Sequence, residues 1–523
     1  MMWMPIVGLL VSLTALTTTM TLIHTCTRTV TSSAGSNSVN IVFVLTDDQD
    51  IYLGGQNPMK KTKKLIGDEG IIFNNAFVTS PLCCPSRSSI LTGKYIHNHN
   101  ALNNSISGNC SSPAWQAGPE KHTFITYIKQ RGYNTFFAGK YLNQYGKRTA
   151  GGVKHVPPGW DWWMGLVGNS RYYDYKLSIN GTKEKHGEVY KQDYLTDLVN
   201  RKALEFLSYQ TENTPFFMML STPACHAPFT PAPQYAQNFS DLRAPRIPNY
   251  NVHGSDKHWL IRAARNPMSE SSVNITDCAF RNRWRTLLSV DDMVEDVVNT
   301  LQQKGLLDNT YIFFTSDNGF HLGQFSLPID KRQLYEFDVR VPLMVRGPGI
   351  PARQVKQEVV LNIDLAPTFV KLAGGQPASD MDGVSITPLL MSEQQHPKPQ
   401  PLMEDRFLVE HFGESHNVIP GCPQLTNQSV ANCKPDCICE DAKNNTFLCL
   451  RKISAQENIK YCELDDNEGF VEYYDLNSDP FEMKNTAKLL PPGVRENYSQ
   501  TLSALAICQG VSCWAPHRQS HLS

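Results

Sequence analysis

The sequence has no excess of either charge: 48 Lys and Arg stand against 49 Asp and Glu, a formal net charge of −1. It therefore lacks the basic footprint of a nucleic-acid binder, and no nucleic acid is expected as a partner. A polyanionic ligand would have to be gripped by local cations, since there is no overall field to draw it in. Long apolar runs are also scarce. Residues 6–16 are too few for a membrane span, and no later stretch is long and apolar enough to cross a bilayer, so no span is expected in the mature chain. Internal repeats are missing. With 41% hydrophobic and 19% charged residues, the 523-residue chain has ordinary globular composition and can bury a core without staples.

The short apolar run and the Ser/Thr-rich stretch after it read as a signal peptide and N-terminal extension over residues 1–38, although no Lys or Arg precedes the run. Two further features favour the secretory route. Asn-x-Ser/Thr sequons, candidate glycosylation sites, occur at Asn103, Asn109, Asn180, Asn238, Asn274, Asn427, Asn444 and Asn497. The 14 cysteines include a cluster at Cys433, Cys437, Cys439, Cys449 and Cys462, which reads as disulfides in an oxidising compartment. Zinc is the competing reading, weakened because the spacings do not form two CxxC pairs. Pairing is not deducible from spacing.

Short apolar runs at 40–46, 135–138, 216–220, 311–315 and 341–345 read as buried parallel strands. Helical patterns lie between them, at 124–131, 194–209 and 285–304. Alternating strands and helices predict an α/β fold with a mostly parallel central sheet flanked by helices. In such sheets ligands sit beyond the carboxyl ends of the strands. Four of those ends carry reactive groups: Asp47-Asp48, Gly139-Lys140, Cys225-His226 and Asp317-Asn318. A Gln/Pro-rich shift near 393–405 sets an expected boundary between a catalytic domain at 39–395 and a smaller, Cys-rich α+β domain at 396–523.

Pro85 and Gly93 bracket a short helical pattern that places Cys83 at a helix N-terminus, where backbone N–H groups favour negative charge. A thiolate nucleophile is one reading of Cys83; a buried or disulfide-bonded cysteine is the other. An Asp-Asp pair by itself is more often a turn or a helix cap.

The stretch Pro81-Leu82-Cys83-Cys84-Pro85-Ser86-Arg87 through Gly93, followed by Gly132-Tyr133 through Gly139-Lys140-Tyr141, resembles the two signatures of the sulfatases in order. The resemblance implies the alkaline-phosphatase-like sulfatase fold. It also implies that Cys83, and not Cys84, is converted to formylglycine by a formylglycine-generating enzyme during secretion. A hydrated aldehyde offers one hydroxyl to attack sulfur and a second whose deprotonation releases sulfate. Asp47, Asp48, Asp317 and Asn318, with the residue-83 oxygen, would hold one Ca²⁺, a cation that prefers such hard donors. Arg87 would steady the hydrated aldehyde, Lys140 and Lys331 would hold sulfate oxygens, and His226 would protonate the leaving group. The chain departs from the family where a histidine often stands two residues after the signature lysine: here it has Leu142, then Asn143. Asn143 or His321 is the candidate replacement, as a catalytic or substrate-binding group.

The resemblance runs from residue 39 to the C-terminus. It is closest to lysosomal members that remove 6-sulfate from N-acetylglucosamine in heparan sulfate and keratan sulfate, on stretches such as 258–262, 323–332 and 435–441. Those members imply a sulfated glycosaminoglycan substrate and a lysosomal or secreted location. Extracellular heparan 6-O-endosulfatases share 83–95 and 97–100, but they carry a long basic insertion that is absent here. An inactive glycan-binding relative competes with this reading, as does a phosphatase or phosphodiesterase with Ser or Thr as nucleophile. Lys257, Arg262, Arg265, Arg281, Arg283 and Arg285 are local cations of the kind that usually form solvated faces.

Overall fold

The computed structural model describes residues 38–391, 406–414, 436, 438 and 440–514. The expected signal segment, the expected boundary at 395/396, the sequon at Asn427 and the cysteines Cys433, Cys437 and Cys439 lie outside the described residues.

Ten strands form the main sheet: β1 (Asn40–Thr46), β2 (Ile71–Phe77), β3 (Asn134–Gly139), β4 (Trp162–Leu166), β5 (Lys176–Ile179), β6 (Thr182–Lys185), β7 (Phe216–Ser221), β8 (Thr310–Ser316), β9 (Leu343–Arg346) and β10 (Gln354–Leu361). Their order is β10-β2-β9-β8-β1-β7-β3-β4-β5-β6. The centre is parallel: β1 pairs with β7 and β8, and β3 pairs with β7 and β4. Every residue of β1, β7 and β8 is buried, which is why these strands read as unbroken apolar runs.

β9 departs from the sequence reading. It begins at Leu343 and runs antiparallel to both β8 and β2. No crossover helix of useful length separates it from β8, so the chain returns alongside as a hairpin-like excursion. β2 was hidden by Asn74 and Asn75 inside its apolar pattern, and β10 by its exposed polar residues.

One face of the sheet packs on the helices Leu195–Ser208 and Glu270–Gln303, and the other on Phe124–Gln130 and Leu365–Leu372. The third predicted helix starts fifteen residues earlier than its 285–304 pattern, at Glu270, where the Ser269 side chain accepts the Ser272 amide. A second sheet, β11 (Arg406–His411), β12 (Phe447–Ile453), β13 (Asn458–Leu464) and β14 (Val471–Asp475), is antiparallel throughout. With the helix Pro492–Leu505 it gives the expected smaller α+β part, and its apolar side chains join the same core cluster as β1, β2 and β8. Cys449–Cys462 staples β12 to β13, and Cys508–Cys513 closes a short loop after the last helix.

Candidate active site

The helix Cys83–Thr92 begins after Leu82, which is extended, and ends at Gly93 with φ +70°. All ten of its residues are buried, so it is a helix enclosed by the fold and not one face of an amphipathic surface. The adjacent cysteines separate cleanly. Cys84 is disulfide-bonded to Cys110, whereas Cys83 is a free, fully buried thiol. Its Sγ lies 3.8 Å from Asp47 Oδ1 and 3.7 Å from Asp48 Oδ1. Burial pushes the Cys83 thiol well up, against the pull of Lys140 and Lys331. A neutral thiol in this position is a poor nucleophile as it stands.

Four strand ends meet around it. From β1, Asp47 accepts Lys140 Nζ at 2.8 Å on each oxygen. Lys331 Nζ donates to Asp48 Oδ2 at 2.7 Å, and Asn318 Nδ2 donates to Asp48 Oδ1 at 2.8 Å. From β8, Asp317 Oδ1 accepts the Asp48 amide at 2.9 Å, and its Oδ2 accepts Arg87 Nε at 2.7 Å. Arg87 also donates to the Lys140 carbonyl at 2.9 Å and to Ser221 Oγ at 2.8 Å, so one guanidinium joins the ends of β8, β3 and β7. From beyond β7, His226 Nε2 approaches Asp48 Oδ2 at 3.8 Å while its Nδ1 bonds the Ala227 carbonyl at 2.7 Å.

Charge sets the protonation states. Burial works against the Asp47 carboxylate, but Lys140, His226 and Arg87 hold it well below the usual range. Asp48 is lowered in the same way, chiefly by Lys331. Asp317 is the exception: burial outweighs Arg87 and lifts it to about 6. Burial likewise lowers His226, which favours neutral imidazole.

Ligand atoms of Asp47, Asp48, Cys83 and His226 all lie within 4.8 Å of one another. Asn318 Oδ1 is buried with no hydrogen-bond partner. Two ionised carboxylates beside an unspent amide oxygen suit a hard cation, so this buried group can hold a metal ion. Asp317 is tied to this group through the Asp48 amide and Arg87.

The two candidates for the missing histidine are placed differently. Leu142 is a fully buried core residue. Asn143 Nδ2 bonds Asn169 Oδ1 at 3.3 Å, and its own Oδ1 is buried and unpartnered. Asn169 adjoins Ser170, whose hydroxyl donates to Asp47 Oδ2, so Asn143 borders the site. The structure does not bring His321 into the cluster. Its Nδ1 meets both Asp338 oxygens at 3.1 Å and its Nε2 meets Glu440 Oε1 at 3.2 Å. Burial disfavours its charge, yet Glu440 and Asp338 push it up to about 10.

The expectation of solvated cations fails at two positions. Lys257 is fully buried, donating to the Met483 carbonyl at 3.1 Å with its ammonium 4.8 Å from the Tyr474 ring centre. Arg283 is 2% exposed and reaches the Asp48 carbonyl. Arg262 pairs with Glu468, Arg265 with Asp436, and Arg281 and Arg285 donate to the carbonyls of Leu242 and Asn238. Ser170 and Arg283 are the site groups that sequence reasoning missed or misread. Ser170 sits in a loop with no signature, and Arg283 sits inside a long, polar-looking helical stretch. Of the sequons, Asn180, Asn238, Asn274 and Asn497 are exposed, Asn109 is half-buried, and Asn103 and Asn444 are buried.

Residues 39–375 match the family model described as sulfatase. The chain is 53% identical to an N-acetylglucosamine-6-sulfatase of Capra hircus over 488 residues, covering 93% of this chain and 86% of the relative. It is also 53% identical to one of Homo sapiens over 487 residues, covering 92% and 87%. A solved structure of a protein in complex with its substrate D-glucosamine-2-N,6-O-disulfate superposes with a TM-score of 0.70 at 24% identity, covering 89% of this chain and 97% of that one. A free cysteine beneath paired aspartates at the ends of a parallel sheet, within a sequence this close to those relatives, places the chain in the sulfatase family of sulfuric ester hydrolases.

Proposed function

We propose that the chain hydrolyses 6-O-sulfate esters of N-acetylglucosamine residues in heparan sulfate and keratan sulfate, with formylglycine made from Cys83 and one bound Ca²⁺. The observation that carries the chemistry is the contrast at 83 and 84: one cysteine is sealed in a disulfide, and its neighbour is free and aimed at Asp47 and Asp48. The substrate rests on the relatives named for it, at 53% identity over most of both chains.

Formylglycine would supply a hydrated aldehyde as nucleophile, and a hard cation on Asp47, Asp48, Asp317 and Asn318 would stabilise its negative charge. The remaining roles belong to residues already in place. Lys140 and Lys331 present ammonium groups that can shift from Asp47 and Asp48 to sulfate oxygens as charge builds there. Arg87 spends Nε and Nη1 on Asp317 and on the Lys140 and Ser221 oxygens, which fixes the helix N-terminus against three strand ends, and its Nη2, free of hydrogen bonds, would steady the hydrated aldehyde. His226 commits Nδ1–H to the Ala227 carbonyl, which leaves Nε2 to take a proton and deliver it to the departing sugar oxygen. Asn143, bonded to Asn169 next to Ser170, is the nearer candidate for substrate contact where Leu142 stands; His321 holds the fold.

The secretory route, with the lysosome as destination, fits the disulfides and the exposed sequons, and no described helix is long and apolar enough to cross a membrane. The test has two parts. Peptide mass spectrometry of secreted protein is expected to find formylglycine at 83; unmodified cysteine in active protein would sink the mechanism. Desulfation assays are expected to favour 6-sulfated N-acetylglucosamine over 2-sulfated uronate and 6-sulfated galactose, and activity confined to uronate would overturn the substrate.

A further inference from the structure

Arg283 occupies an unusual place for a cation in the middle of a 34-residue helix. Its guanidinium is enclosed by the fold and bonds the Asp48 carbonyl at 2.8 Å and Asp50 Oδ1 at 2.5 Å. Its flat face lies 4.1 Å from the centre of the Phe320 ring, two residues beyond Asn318. One side chain thus grips the loop after β1 and leans on the loop after β8, the two loops that carry the cation-binding oxygens.

The loop after β1 needs such a grip. Asp48 has φ +63°, a left-handed conformation that is strained for a non-glycine residue. Asp317 takes its amide; its carbonyl accepts Arg283 at 2.8 Å and, more distantly, the Cys225 thiol at 3.5 Å, while the Gln49 amide donates to Ser316 Oγ, so Arg283 is the one charged group on that carbonyl. Reversing either peptide would swing the Asp48 carboxylate away from Cys83. The charge also matters. Asp47, Asp48, Asp50 and Asp317 face Lys140, Lys331, Arg87 and Arg283, and Arg283 is the one cation of these that touches neither a carboxylate of the proposed ligand set nor the sulfate position.

We propose that Arg283 is a positioning residue for the metal centre, holding Asp48 in its ligating orientation from behind. This rests on the cation site proposed above. Lysine keeps the charge but cannot span the Asp48 carbonyl, Asp50 and the Phe320 face together. The test is calorimetric titration of calcium alone into chelator-treated full-length protein, compared at equal formylglycine content. R283K is expected to bind calcium at least tenfold more weakly, to lose activity at limiting calcium, and to recover it at saturating calcium with KM for the sugar sulfate within twofold of wild type. A purely structural Arg283 would instead lower Tm with calcium affinity unchanged, and that result would overturn the inference. Should R283K fail to accumulate, Asp50→Asn loosens the same guanidinium; at least threefold weaker calcium binding supports the inference, and unchanged binding overturns it. Wild-type protein that binds no calcium would refute the cation site itself, a failure distinct from any seen only in the variants.

Discussion

Two of the buried charge sets among the described residues behave differently. At the strand ends, Asp47, Asp48 and Asp317 meet Lys140, Lys331 and Arg87, all 2% exposed or less. Where the main sheet's loops meet the second sheet, Lys460 lies 2.6 Å from Glu482 and 3.1 Å from Glu336, and Arg451 lies 3.0 Å from Glu336. The second set is complete. Glu482 also accepts the Glu336 amide at 2.9 Å, Arg451 bonds the carbonyls of Lys452 and Ile459, and no atom of these four side chains is left without a partner. The first set leaves Asn318 Oδ1 and Arg87 Nη2 without hydrogen bonds and crowds carboxylates against a thiol. Burial of charge alone therefore does not mark a reactive centre. Unspent hydrogen-bonding capacity at strand ends does, because it is kept for something that arrives later.

Substitutions should pull the two sets apart. The largest effect on activity is expected for Asp317→Asn, which keeps the shape and removes the charge of a proposed metal ligand: turnover per folded molecule should fall at least about 100-fold. Near-normal turnover would remove Asp317 from the reactive set. Lys460→Met should do the reverse. It strands Glu482 and leaves Glu336 to Arg451 alone, with a loss of about 3–5 kcal/mol in unfolding free energy, yet kcat per folded molecule should remain within about twofold. A matching collapse of kcat would erase the distinction between the two sets. The smallest effect is a pH dependence at His321. Its folded pKa, about 10, lies above the unfolded value, so its stabilisation is complete below about pH 6.5 and fades as pH rises through 10. His321→Gln should flatten the alkaline limb of a Tm-against-pH curve and leave activity at pH 5 intact; an unchanged alkaline limb would count against the Asp338–Glu440 bridge.

Much of this is legible in the order of residues alone. β1, β3, β7 and β8 announce themselves because both faces are covered, and the residues that end them meet at the candidate site. Strands exposed on a face or interrupted by asparagine, such as β10 and β2, give no such signal. His321 looks catalytic through its nearness in sequence to Asn318. The turn between them decides otherwise: Gly319 donates to the Asp338 carbonyl, and a Cβ there would sit 2.2 Å from the Phe337 carbonyl oxygen, so the chain veers toward Asp338 and Glu440. Lys257 and Arg283 look like surface charges because a single sequence does not show which aromatic ring will cover a cation.

The buried thiol of Cys83 carries a consequence for the order of events in the cell. In the folded chain its side chain has no exposed surface, and its backbone is locked inside a helix whose next residue is tied to Cys110. On the proposed conversion to formylglycine, a separate enzyme could reach residue 83 only in a nascent chain, before the Cys84–Cys110 bond and the strand ends close over it. On that proposal the Cβ of residue 83 would be oxidised to an aldehyde with loss of its sulfur, and the Cys84 sulfur joined to Cys110, by different agents in a fixed succession. A chain that folds too quickly would be well formed, stable and permanently inert, so the yield of active protein would be set by a race during synthesis as much as by the stability of the finished fold.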